Sequence, residues 1–125
     1  MKDEKSAPVL TIRTKEFALR IIRLFASLPK TTVAQVLGKQ VLRSGTSVGA
    51  NYREACRAHS KAEFIAKIGD CLKELDESSY WLEILEEAGT VTPNKLKNLR
   101  NECDQLLAIF TTISKKTKAS AFHLS

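Results

Sequence analysis

The chain has 125 residues, 43% of them hydrophobic and 27% charged, which is the size of one domain able to bury most of its unfolded surface without metals or disulfides. Cys56, Cys71 and Cys103 are an odd, widely spaced set with no C-x-x-C pair, and neither an apolar leader core nor a run of ~18 apolar residues occurs. A disulfide framework, a zinc site and a membrane span are thereby excluded, and three small apolar fillers in a soluble, reduced, cytoplasmic protein are predicted. The net charge of +6 is uneven: residues 1–62 hold 12 Lys/Arg against 4 Asp/Glu, and residues 63–125 hold 8 against 10.

Apolar residues recur at helical spacing throughout, and strand alternation is absent. Residues 1–13 are expected to be a flexible N-terminal segment. The first helix, about Thr14 to Leu28, aligns Phe17, Ile21, Leu24 and Leu28 and is stopped by Pro29. The second is expected to open on Thr32 with Gln35 as a capping box, to run to about Ala58, and to face inward with Val33, Leu37, Val41, Ser44, Val48, Tyr52 and Ala55. Ser60 with Glu63 is a second capping box, opening a helix whose inner face is Phe64, Ile68, Cys71, Leu75, Leu82 and Leu85, up to Gly89. Thr92-Pro93 opens the fourth, with proline at the first helical position. Its seam of Leu96, Leu99, Cys103, Leu106, Phe110 and Ile113 alternates steps of three and four, the knobs-into-holes period of a bundle. Short connections make successive helices antiparallel neighbours. The fold expected is all-α: an up-down-up-down four-helix bundle over residues 14–118, followed by a flexible C-terminal tail, 119–125.

The third helix carries more apolar surface than one core needs. With Leu75 inward, Ile84 falls on the opposite side, with Tyr80, Trp81 and Ala88 spread around it. A helix apolar nearly all round is covered on both sides, so these four residues are predicted to form an interface with another copy of the chain, anchored by Trp81.

The stretch from Leu42 to Ala55 is unusual for a helix interior. Gly45 and Gly49 there each cost roughly 1 kcal/mol relative to alanine, so close approach of a neighbouring helix is expected to offset them. Arg43, Ser47, Asn51 and Glu54 flank the core face beside Ser44. In an antiparallel pair with the third helix, Arg43 comes within a turn of Glu74, and Glu54 approaches Lys61 or Lys67. The resulting polar seam would fix helix register.

Catalytic readings of the same residues fail on their partners. Glu54, Glu74 and Glu77 lack the Glu-x-x-His pairs of carboxylate-bridged metal bundles, so no metal or cofactor is expected. Ser44 and Ser47 have no neighbouring histidine base. The glycines lack the Gly-Lys-Ser/Thr of a phosphate loop and a preceding strand. Arg53 to His59 resembles the R-x(4-6)-H motif of HEPN-type ribonucleases. The helical wheel sets these two residues about 120° apart, with His59 at a helix end.

The sequence resembles a bacterial four-helix-bundle family comprising 23S rRNA intervening-sequence proteins and the accessory variability determinant protein of diversity-generating retroelements. Phe17 to Ile22, Gln40 to Asn51 with its R-S-G-T-S-x-G-A-N block, Ser60 to Ile65, Lys73-Glu74 and Glu77 to Leu82 with Tyr80-Trp81-Leu82 carry the resemblance. The chain departs from that pattern at Asp76, where a small residue is common, and at Ser78-Ser79, where Glu-Thr usually precedes Tyr-Trp-Leu. The resemblance implies a homopentamer with a basic surface and no established enzymatic activity. For the retroelement member it implies association with a reverse transcriptase and RNA.

The basic first half suits a polyanion, since neutralising phosphates releases counterions. The predicted contacts are Arg13, Arg20 and Arg23 on the first helix, Lys39, Arg53 and Arg57 on the second, and Lys115, Lys116 and Lys118 in the tail. Few aromatics accompany them, so phosphate contacts with RNA or DNA, and little base readout, are expected. The competing class is an interaction module for an acidic protein or a polymerase.

Overall fold

A computed structural model of the chain describes the backbone of residues 2–124 and the side chains of residues 9–120. Four helices follow one another: α1 Lys2–Ser27, α2 Thr32–Cys56, α3 Lys61–Glu87 and α4 Pro93–Leu124. No strand occurs among the described residues, and none of their helices is long and apolar enough to cross a membrane. The helices form an antiparallel bundle in which α2 packs on α1 and α3, and α4 packs on α3 while meeting α1 only sparsely.

The helix ends follow local chemistry. The Ser60 hydroxyl accepts from the Glu63 backbone N–H at 3.0 Å, and the Glu63 carboxylate reaches back to accept from the His59 N–H at 3.1 Å. Gly89, at φ 74°, turns the chain out of α3 through the left-handed region that glycine enters without strain. The start of α2 corrects the expectation by one residue. Thr31 is the cap, accepting from the Ala34 N–H, while Gln35 donates its amide to the Pro29 carbonyl instead of closing a box with Thr32. Val33, expected inward, is 59% exposed, and Ala34, seven residues before Val41, is the buried residue of that turn. α2 also ends at Cys56 rather than near Ala58.

The core runs the length of the bundle. Phe17, Ile21, Val41, Val48, Ile68, Leu75, Leu82, Leu85, Leu96, Leu106 and Phe110 are fully buried, each contributing about 1.5–3 kcal/mol in transfer free energy. The Tyr52 and Phe110 rings cross the centre edge to face, their centroids 5.4 Å apart. Cys71 and Cys103 are the predicted fillers, but Cys56 is exposed at the end of α2.

Residues 9–13, expected to precede the bundle, continue α1: Leu10 is buried and adds a turn to the core seam. Residues 119 and 120 likewise continue α4. The expected flexibility of residues 1–8 and 121–125 falls outside the described side chains.

Candidate functional site

The polar seam closes α2 against α3. Arg43 Nη1 lies 3.3 Å from both oxygens of Glu74, and its Nη2 bonds Glu77. The hydrogen bond to Glu77, with the two carboxylates' charge, raises the Arg43 pKa further above its ordinary value. One turn inward, the buried Ser78 hydroxyl donates to Ser44 Oγ at 2.9 Å. Ser47 donates to the Arg43 carbonyl at 2.6 Å, and Asn51 lies half-buried on the same stripe. At the other end Lys67 Nζ meets Glu54 Oε1 at 2.6 Å, the second of the two partners expected. Lys61 instead bonds Ser120 Oγ at 2.7 Å.

These polar groups are consumed by one another. Every buried side-chain nitrogen and oxygen among the described residues has a partner, so the buried part of the seam is internally satisfied. Burial pushes the Cys71 and Cys103 thiols up to about 12 each, which keeps them protonated and poorly nucleophilic. Arg53 and His59 are both exposed, with His59 beyond the end of α2 and its backbone N–H given to Glu63.

The glycine face of α2 turns toward α1. A Cβ at Gly45 would sit 2.7 Å from Ile21 Cγ1, and one at Gly49 would sit 3.2 Å from Thr14 Oγ1. Gly38 belongs to the same contact, against Phe25 and Leu28, and was not legible as part of it. The seam therefore has two sides: hydroxyls and ion pairs toward α3, and missing side chains toward α1.

The structure separates the predicted basic residues into two groups. Arg13 is engaged inside the fold: its guanidinium donates to both Glu102 oxygens, at 2.7 and 3.1 Å, and to Gln105, tying α1 to α4. The hydrogen bond to Glu102 raises its pKa, against a smaller lowering by burial. That correction has a physical reason, since residues 9–13 are helical and bring Arg13 alongside α4. Arg20, Arg23, Lys39, Arg53, Arg57, Lys115, Lys116 and Lys118 have no ion-pair partner among the described residues, and all but the half-buried Arg20 are exposed. Arg53 and Arg57 line, with Lys15, a groove of about 500 Å³ between α1 and α2.

Of the predicted oligomer residues, Tyr80 is 53% exposed, Trp81 and Ile84 are half-buried, and Ala88 is exposed. Tyr80 stacks edge-on against Trp81 at 5.0 Å, and the indole N–H points to Glu77 at 3.4 Å. Val33 and Val36 at the start of α2 are also exposed, at 59% and 54%. α1 turns a second apolar row outward, Val9, Ile12, Leu19 and Ile22. The spacing of Ile12, Leu19 and Ile22 was a readable signal for that row.

A model of the 23S rRNA-intervening sequence protein family matches residues 10–112, which include the whole R-S-G-T-S-x-G-A-N block and Tyr80-Trp81-Leu82. The chain belongs to the 23S rRNA-intervening sequence protein family. A similar solved structure is a protein of unknown function from the S23 ribosomal protein family of Bacteroides thetaiotaomicron. It is 39% identical, with a TM-score of 0.79, over 84% of this chain and 97% of that one. No curated protein matches the chain. Lys115, Lys116 and Lys118 lie beyond the residues matched to the family, whereas the other unpaired cations lie within them.

Proposed function

We propose that this member of the family is a non-enzymatic, cytoplasmic homo-oligomer that binds nucleic acid through its phosphates, with low sequence specificity. The observation that carries the reading is the set of unpaired Lys and Arg side chains on α1, the outer face of α2 and the end of α4, in a bundle whose other seam cations are matched to carboxylates. Such cations gain little from the fold and much from a polyanion, by counterion release. Two apolar surfaces, one on α1 and one around Trp81, support closed self-association, with a pentamer as the expected ring. Symmetry then multiplies the charge, and multivalency raises affinity.

Fluorescence anisotropy with unrelated single-stranded RNAs and duplex DNAs tests this. Between about 50 and 200 mM salt the affinity should fall by about 10³-fold or more if six or more phosphates are contacted, alike for all sequences. No binding at about 50 mM salt would refute the reading and favour an acidic protein partner, such as a polymerase. Sedimentation of the wild type should give a pentamer that Trp81→Ala weakens. A monomer at micromolar concentration would remove the ring.

A further inference from the structure

Ion pairs of opposite charge close three of the helix contacts: Arg13 with Glu102, Arg43 with Glu74 and Glu77, Lys67 with Glu54, and Arg100 with Glu86. Two grooves depart from that pattern: the α1/α2 groove, lined by Lys15, Arg53 and Arg57, and one in the α1/α4 seam. Beyond the Arg13–Glu102 bridge, toward the C-terminal end of α1, the α1/α4 seam opens into a groove of about 380 Å³. Arg20 and Arg23 reach it from α1 and Lys95 from the first turn of α4, and no carboxylate lines it. None of the three cations has an ion-pair partner among the described residues.

Three like charges lining one cleft repel one another, and no carboxylate in its wall offsets them. A local conflict of this kind marks a site completed by something else. Here that must be an anion. The floor is aliphatic, with Leu24 half-buried and Leu99 6% exposed, so the local dielectric is below that of water and each cation acts more strongly on a bound charge. Asn98 adds one neutral amide able to donate and accept, and the volume is at the small end of ligand sites. The α1/α2 groove also carries cations, but Glu54 lies in its wall and is bonded to Lys67.

We propose that the α1/α4 groove is a subsite for one nucleotide unit. Arg20, Arg23 and Lys95 hold its phosphate oxygens, Leu24 and Leu99 support the sugar or base, and Asn98 meets a polar edge. The assignment rests on the nucleic-acid reading above and makes it specific, since it adds Lys95 and Asn98 and gives the strand a fixed point. The shared chemistry is a nucleoside phosphate, whether free or within a strand.

Ligand-observed saturation-transfer NMR on the full chain, with adenosine monophosphate as probe at about 50 mM salt, tests the groove without a polymer. Saturable transfer to the monophosphate is expected, with orthophosphate competing and adenosine giving far less. The double variant Arg20→Ala/Lys95→Ala should weaken binding by about tenfold or more, the loss expected for charge-assisted hydrogen bonds. Lys73→Ala/Lys97→Ala, which removes equal charge outside the groove, should leave it unchanged. Equal losses in the two double variants, or no saturable transfer, would overturn the site. Anisotropy with RNA on the same proteins separates the two ideas. RNA binding indifferent to Arg20→Ala/Lys95→Ala overturns the groove and keeps the general reading, and monophosphate binding without RNA binding keeps the groove and overturns the strand.

Discussion

Gly45→Ala sets two known effects against each other at one atom. A Cβ built there lies 2.7 Å from Ile21 Cγ1, 3.1 Å from Cγ2 and 3.3 Å from Cβ. These atoms sit at the stiff, branched base of isoleucine, so they cannot swing away as the tip of a long side chain would. Helix propensity alone favours alanine by about 0.8–1 kcal/mol. Overpacking a filled core costs about 1–3 kcal/mol. The variant should therefore fall between neutral and about 2 kcal/mol less stable. Gly69→Ala is the matched control, because nothing lies within 4 Å of its added Cβ, and it should gain close to the full propensity. The gap between the two, about 1–3 kcal/mol, is the α1/α2 clash itself. Urea unfolding at one fixed protein concentration reads it, since oligomerisation makes apparent stability depend on concentration. Ile21→Ala in the Gly45→Ala background should be markedly less harmful than in the wild type, because the clash is then absent. If Gly45→Ala stabilises as much as Gly69→Ala, the glycine face does not serve close approach of α1.

Three further outcomes follow from the seam and the core. Ser78→Ala or Ser44→Ala removes the bond between the two hydroxyls but leaves the remaining one its own helix carbonyl, Val41 for Ser44 and Glu74 for Ser78, so each should cost about 0.5–1.5 kcal/mol and the double variant less than the sum, by a double-mutant cycle in urea. Cys71 and Cys103 have thiols raised from 9.0 to about 12 by burial, so the unfolded chain ionises first as pH rises. Stability is then complete below about pH 9 and falls as pH climbs toward 12, by about 1.4 kcal/mol per thiol at pH 10. A Cys71→Ala/Cys103→Ala variant should flatten that slope between pH 8 and 10, and a thiol reagent should label Cys56 at once but the other two only as the chain unfolds. Arg43→Ala should cost less than about 1 kcal/mol despite its two carboxylates, because its side chain is 51% exposed and the pairs are screened by salt. A loss several times larger, persisting in molar salt, would make the pair a buried one.

Much of this molecule was readable from residue order because helices are local objects. The Ser60–Glu63 cap, the Gly89 stop, Pro93 at the head of α4 and the three-four seam from Leu96 to Phe110 all depend on neighbours within a turn or two. The residues that place the chain in its family lie in the same continuous runs. Even the pairing of Arg43 with Glu74 and Glu54 with Lys67 could be anticipated, since a short α2–α3 connection fixes how two antiparallel helices slide past each other.

What escaped was rotation and separation between helices. Val33 was expected inward, whereas the core buries Ala34, one heptad before Val41, and the single methyl of alanine is the weaker apolar signal. Arg13 belonged with the free cations until α4 came alongside to supply Glu102, a contact between residues at opposite ends of the chain. Lys95 was one surface lysine among many until the sparse α1/α4 packing set it across a groove from Arg20 and Arg23. Local periodicity dictates which residues share a helix face. Which charges are paired, and which are left facing each other, is fixed by how far apart those faces come to rest.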